Sequence, residues 1–205
     1  VLFSNRVSIV FFVLTLCFLF FSVAFIVHAQ SEIQTSKYRN MVIDLYTNAR
    51  LNLPIIVDGP YRAVLLVPGS GATDMNETGD YVRIDNGTDS FIYPSARPFF
   101  DIVEYLSERG LAVLQYDKRG IGVNATILDQ NVWGNVTFDD LTRDAQKALD
   151  VLLQQPEVDS SKVVLVGHSE GTTIAPRIAI NNSDKVDAIV LMGKLAQNLY
   201  EIGYS

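Results

Sequence analysis

The sequence predicts an α/β domain, a mostly parallel sheet with helices on both faces, on three observations. Ala63-Val64-Leu65-Leu66-Val67 is a fully apolar run, the composition of a strand buried on both faces of a parallel sheet. Spans with apolar residues at helical spacing alternate with such strands, at Phe99, Ile102, Val103 and Leu106 and again at Leu141, Ala145, Ala148, Leu149 and Leu152. Finally, Val163-Val164-Leu165-Val166 runs into Gly167-His168-Ser169-Glu170-Gly171 and then Thr172 to Ala179, a strand, a sharp turn and a helix in immediate succession.

The chain of 205 residues has room for one domain of ordinary size and a leader. Val7 to Val27 is apolar and uncharged, with Arg6 before it and the small residues of Val27-His28-Ala29 after it. That pattern is a targeting segment, either a signal peptide cleaved after Ala29 or an uncleaved membrane anchor. Residues 1–29 are therefore assigned to the leader and 30–205 to the folded domain, outside the cytoplasm, with any membrane contact made only through the leader. Cys17, the single cysteine, falls within the leader, which leaves the domain without an intrachain disulfide. Asn-x-Ser/Thr acceptor patterns at Asn76, Asn86, Asn124, Asn135 and Asn181 agree with an exported glycoprotein.

In the domain, Met41 to Thr47 and Leu51 to Val57 read as early strands, and Pro54 suggests an edge position for the second. Tyr61 to Val67 is the expected central strand. Gly69 to Pro94 reads as a long polar loop bordering the site. A helix is expected over Arg97–Arg109, stopped by Gly110, then a strand from Leu111 to Tyr116. Asn124 to Val136 reads as a second polar loop. Thr137 is placed as the N-cap of a helix ending before Pro156, with Asp139 and Asp140 in its first turn. Val186 to Met192 is a last strand, and Lys194 to Tyr200 starts another helix.

A net charge of −7 provides no basic face for nucleic acid. The sequence has no metal-ligand cluster and no nucleotide-binding glycine pattern, so neither a metal nor another cofactor is expected. The Gly-x-Ser-x-Gly turn is the informative feature. Lifting a serine hydroxyl to the tip of such a turn demands a strained backbone, and the flanking glycines let neighbouring segments pass. Ser169 is therefore the candidate nucleophile.

Three motifs, Pro68-Gly69-Ser70-Gly71-Ala72-Thr73-Asp74, Tyr116-Asp117-Lys118-Arg119-Gly120-Ile121-Gly122 and the elbow with Ile174-Ala175-Pro176, occur in this order and cover Tyr61 to Gly193. In them the chain resembles the α/β-hydrolase superfamily, more closely its esterase and serine-aminopeptidase branches. The resemblance implies an α/β-hydrolase fold, C-terminally incomplete by about two strands. It also implies an oxyanion hole built from the backbone N–H of Glu170 and that of Ser70, with Gly71 the alternative because Pro68-Gly69 replaces the family's His-Gly.

The family places its acid and then its histidine after the elbow. This chain has His28, in the leader, and His168, read as a packing residue of the elbow. Of the carboxylates after Ser169, none of Asp184, Asp187 and Glu201 is chosen as the acid. Asp117 is read as an organiser of loops rather than a catalyst, and Glu170 as either a solvated turn residue or a binder of a substrate amine. The expected function is hydrolysis of carboxylic esters through an acyl-enzyme on Ser169 in the complete protein, with a small-molecule ester or short peptide as substrate. The alternatives are an exported serine aminopeptidase on the same scaffold and a truncated or non-catalytic hydrolase-fold protein.

Overall fold

The computed structural model describes residues 36–55, 58–79, 82–85, 90–93 and 96–193. The leader, the helix expected from Lys194, Glu201 and the Asn86 acceptor lie outside the described residues.

One six-stranded sheet dominates. It contains β1 (Ser36–Asp44), β2 (Thr47–Pro54), β3 (Tyr61–Val67), β6 (Ala112–Tyr116), β9 (Val158–His168) and β10 (Val186–Met192), in the spatial order β1-β2-β6-β3-β9-β10. The pairings among β6, β3, β9 and β10 are parallel, and those of β1 with β2 and β2 with β6 are antiparallel. The sheet is thus mixed, with its parallel part carrying the site.

β3 is central, as its composition predicted, and its side chains show why. Ala63, Leu65 and Val67 point to one face and pack with Leu114, Leu149, Leu152 and Ile174. Val64 and Leu66 point to the other and pack with Phe99, Val103, Val113 and Val166. Successive residues of a strand face opposite sides, so a strand with helices on both sides must be apolar at every position. Each fully buried Leu or Val contributes about 1.5–3 kcal/mol relative to exposure.

Helix α1 (Pro98–Ser107) covers the second face, and α3 (Phe138–Leu153) and α4 (Gly171–Asn181) cover the first. α1 begins with Pro98 in its first turn, where the missing N–H is harmless, and Gly110 just beyond its end takes φ +84°. α3 starts with a capping box: Thr137 Oγ1 accepts from the Asp140 N–H at 3.2 Å while the Asp140 carboxylate accepts from the Thr137 N–H at 3.1 Å. Such a cap is worth about 1 kcal/mol.

The structure corrects several expectations. Pro54 does not mark an edge strand: β2 lies between β1 and β6, and Pro54 ends it, beyond the Ala49–Asn52 stretch that pairs with β6. Among the described strands the sheet edges are β1 and β10. The first two strands begin and end earlier than expected because their hairpin turns at Leu45-Tyr46. The Gly69 to Pro94 segment is not all loop, since β4 (Val82–Asp85) and β5 (Ser90–Tyr93) form an antiparallel hairpin within it. The second polar loop contains the short pair β7 (Ile121–Gly122) and β8 (Thr126–Ile127) and helix α2 (Gln130–Gly134). The Asp129 carboxylate caps α2 by accepting from the Asn131 and Val132 N–H groups. Segments this short lack enough periods for hydrophobic patterning to reveal them.

Among the described residues, no helix is long and apolar enough to cross a membrane. Asn124, Asn135 and Asn181 are exposed. Asn76 is half-buried, and its side-chain oxygen accepts from Gln115 at 3.3 Å.

Candidate active site

The site is built where β3 and β9 end side by side. Ser169 follows β9 immediately and has φ +49°, in the left-handed region that a residue with a Cβ rarely occupies. It is held there from both directions. Its N–H donates to the Met192 carbonyl at 2.9 Å, tying the elbow to β10, and its carbonyl accepts from the Thr172 N–H at 3.0 Å and Thr172 Oγ1 at 2.6 Å. The strain expected of this motif is present at the serine itself.

The two flanking glycines are required by close approach. A Cβ on Gly167 would stand 2.3 Å from the Gly171 carbonyl oxygen, and one on Gly171 would stand 2.3 Å from that of Val67. The helix after the serine thus passes directly across the ends of β9 and β3. This brings the loop after β3 against the nucleophile: the Cβ position of Gly69 is 3.2 Å from Ser169 Cβ and 3.1 Å from His168 Nδ1.

The Gly69 N–H is taken by Glu77 Oε1. Among the described residues, the N–H groups of Ser70, Gly71 and Glu170 donate to no protein acceptor. The amides expected as oxyanion donors, that of Glu170 and that of Ser70 or Gly71, are thus left unengaged by the protein.

The charged turn Asp117-Lys118-Arg119 organises the surroundings. Asp117 is buried and accepts from the Met75 N–H at 2.7 Å. Burial raises its carboxyl to about 6, with the Met75 N–H opposing the rise and the Asp74 charge adding to it. Lys118 is 2% exposed and its Nζ donates to Glu170 Oε2 at 2.8 Å. Burial lowers the Lys118 ammonium, and the Glu170 carboxylate works against that shift. Arg119 holds the buried Asp144 through two bonds, Nε to Oδ2 at 2.7 Å and a terminal nitrogen to Oδ1 at 2.6 Å, clamping this turn to α3. The structural reading of Asp117 is supported. The Glu170 carboxylate is paired with Lys118 through Oε2 while its side chain remains 27% exposed, so it is more than a solvated turn residue.

Two acidic residues of the loop after β3 were not singled out by sequence. Buried Asp74 accepts from the N–H groups of Asn76 at 3.1 Å, Thr78 at 2.9 Å and Asn124 at 2.9 Å, and from Thr78 Oγ1 at 2.8 Å. Its contacts two and four residues ahead are those of an Asx-type turn, a legible signal. Glu77 Oε2 lies 2.7 Å from His168 Nδ1, within ion-pair reach but out of line for a hydrogen bond. Its partners are 8 and 91 residues away in the chain, and no local pattern announces such contacts. His168 also meets Phe99 edge-on, with ring centroids 6.3 Å apart, consistent with a packing role.

Of the carboxylates weighed as the acid, Asp184 and Asp187 are remote from Ser169. Met192 pairs with His168 while Asp187 lies five residues earlier on the same strand, about 16 Å toward the opposite end of the sheet. Asp184 precedes it in the same turn region.

Comparison with known proteins identifies the family and the fold. The family model described as serine aminopeptidase, S33, matches residues 94–198, just over half of the chain. Esterase EstD of Thermotoga maritima is 33% identical over 145 residues, which are 70% of this chain and 29% of EstD. The α/β hydrolase domain-containing protein WAV2 of Arabidopsis thaliana is 39% identical over 51 residues, 25% of this chain and 17% of that protein. The chain therefore spans less than a third of the length of these relatives. Among solved structures, a dienelactone hydrolase from Anabaena variabilis superposes with a TM-score of 0.53 at 20% identity, covering 77% of this chain and 63% of that one. Brefeldin A esterase, a bacterial homologue of human hormone-sensitive lipase, gives 0.52 at 18% identity, covering 78% and 40%.

Proposed function

Because the chain belongs to the serine aminopeptidase S33 family of α/β hydrolases, we propose that it carries the nucleophile and oxyanion-binding parts of a serine hydrolase of carboxylic esters. Ser169 Oγ attacks the acyl carbonyl, and the amides of Glu170 and Ser70 receive the negative charge that develops on the carbonyl oxygen. Collapse expels the alcohol and leaves the acyl group on Ser169 until water releases it. The observation that supports this best is Ser169 at φ +49° beside a loop whose Gly69 abuts its Cβ, with unengaged amides on both segments.

An ester is favoured over a free amino terminus by charge. Among the described residues beside the elbow, Glu170 is paired with Lys118, and Glu77 binds the Gly69 N–H and stands against His168, so neither of these carboxylates is an unpaired anion for a substrate ammonium. A general base is required as well, since a serine hydroxyl alone is a poor nucleophile. The 205 residues hold two histidines, and His168 is engaged by Glu77 and Phe99. The activity is accordingly proposed for the whole gene product that contains this chain.

In that protein a fluorophosphonate probe should label Ser169, and Ser169→Ala should abolish both labelling and hydrolysis of p-nitrophenyl acetate. Labelling that survives the substitution would refute the assignment. Preference for an aminoacyl-arylamide over the ester would select the peptidase, and absence of both activities the non-catalytic reading.

A further inference from the structure

We propose that Glu77 is the positioning residue of the oxyanion loop, holding the Gly69–Ser70 segment against the elbow from both sides. This deepens the serine-hydrolase reading and rests on Ser70 as an oxyanion donor. Three independent features of the structure converge on it.

The first is the placement of the carboxylate. Oε1 accepts the Gly69 N–H, and Oε2 stands 2.7 Å from Nδ1 of His168, the residue preceding the nucleophile. One side chain therefore bridges the loop after β3 and the turn after β9, the two segments whose amides must point at a single oxygen atom. The second is the tightness of the corner. A Cβ on Gly69 would meet His168 Nδ1 at 3.1 Å and both Glu77 Oε1 and Ser169 Cβ at 3.2 Å, so Gly69 is enclosed by the carboxylate, the imidazole and the nucleophile. With its own N–H consumed, the next amide along, that of Ser70, is free to serve substrate.

The third is what the chain does to deliver this carboxylate. Glu77 has φ +51°, left-handed backbone that a long side chain adopts only under constraint, and its residue is 8% exposed. The constraint comes from Asp74. Its carbonyl accepts from the Glu77 N–H at 3.0 Å, and its carboxylate accepts from the N–H groups of Asn76 and Thr78, on either side of Glu77. A buried carboxylate must be matched by donors, and the hydrogen bond donated to Glu77 comes from the Gly69 N–H, so a residue serving only to close the loop would not need to be Glu. The geometry makes sense if the acceptor is there to fix Gly69.

The test uses the full-length protein and compares Glu77→Ala with Glu77→Gln, which keeps an oxygen acceptor for the Gly69 N–H. Outright removal of an oxyanion donor lowers kcat by about 10²–10³-fold. Displacement of the Ser70 amide in Glu77→Ala should therefore lower kcat for p-nitrophenyl acetate by about 10–100-fold, with KM changed less than about threefold. Glu77→Gln should recover most of the loss. Amide hydrogen exchange supplies a readout independent of turnover: the Gly69 amide should exchange at least about tenfold faster in Glu77→Ala and remain slow in Glu77→Gln. The proposal is overturned by a Gly69 amide equally protected in Glu77→Ala, by a kcat for that variant within threefold of wild type, or by Glu77→Gln as impaired as Glu77→Ala. Hydrolysis that persists in Ser169→Ala would instead remove the serine reading, and the exchange experiment would still decide whether Glu77 holds the loop.

Discussion

Gly171→Ala adds one methyl group at the crossing of the elbow helix over the end of β3, and its consequences can be worked from distances. The new Cβ would lie 2.3 Å from the Val67 carbonyl oxygen and 2.9 Å from that of Pro68. Both are backbone atoms, so no side chain can rotate away. To reach the 3.0 Å below which Cβ contacts essentially do not occur, α4 must retreat from β3 by roughly 0.7 Å. Overpacking of this kind costs about 1–3 kcal/mol, while alanine in a helix recovers up to about 1 kcal/mol over glycine. The net expectation is a loss of about 1–2 kcal/mol, or a fall in Tm of about 2–8 °C. The functional effect should be larger. The displacement separates the Glu170 amide on one side from the Ser70 amide on the other, and misplacement approaching 1 Å is worth about 10²-fold in rate. Urea unfolding and kcat for p-nitrophenyl acetate measure the two effects. Gly134→Ala is the control, because its Cβ would find its nearest neighbour at 3.7 Å, in a flexible glutamine side chain. If Gly171→Ala matched Gly134→Ala within about 0.5 kcal/mol and kept wild-type kcat, the argument that backbone crossing dictates this glycine would be wrong.

Two further predictions concern the surroundings of the site. Asp117 has a folded-state pKa raised to about 6 from 3.8, so its ionisation opposes folding: the contribution of its neutral form is complete below about pH 4 and is lost as pH rises through 6. Asp117→Asn retains an oxygen for the Met75 N–H and should gain stability over wild type progressively between pH 4 and 7; urea midpoints of the two proteins that run parallel across this range would contradict the assignment. For the leader, we propose export on the strength of Arg6, the Val7–Val27 run and Val27-His28-Ala29. N-terminal sequencing of the mature protein should begin at Gln30 after cleavage, or find Val7–Val27 intact in the membrane fraction, whereas an uncleaved soluble cytoplasmic protein would refute both.

What could be read in advance was what local pattern and stereochemistry control. β3 was legible because burial on both faces leaves no position for a polar side chain between Ala63 and Val67, and α3 because Thr137 and Asp140 cap it from within four residues. Ser169 was legible for a similar reason: a left-handed serine between two close-packed glycines can be written in few ways, so the sequence by itself specified the turn, the flanking strand and helix, and the family resemblance. Tertiary structure decided whatever depends on partners distant in the chain. Pro54 looked like an edge residue until β6, some sixty positions later, proved to pair only with the part of β2 preceding it. Glu170 read as either a solvated turn residue or a binder of a substrate amine, and only the fold shows that its carboxylate meets the buried Lys118, 52 positions earlier. Glu77 carried no local signal, because its role exists only once the ends of β3 and β9 are side by side and its carboxylate can reach Gly69 and His168 together. A side chain's charge is written in the sequence, but whether that charge is free, paired or holding a loop is set by which segments the fold brings within about 3 Å of it.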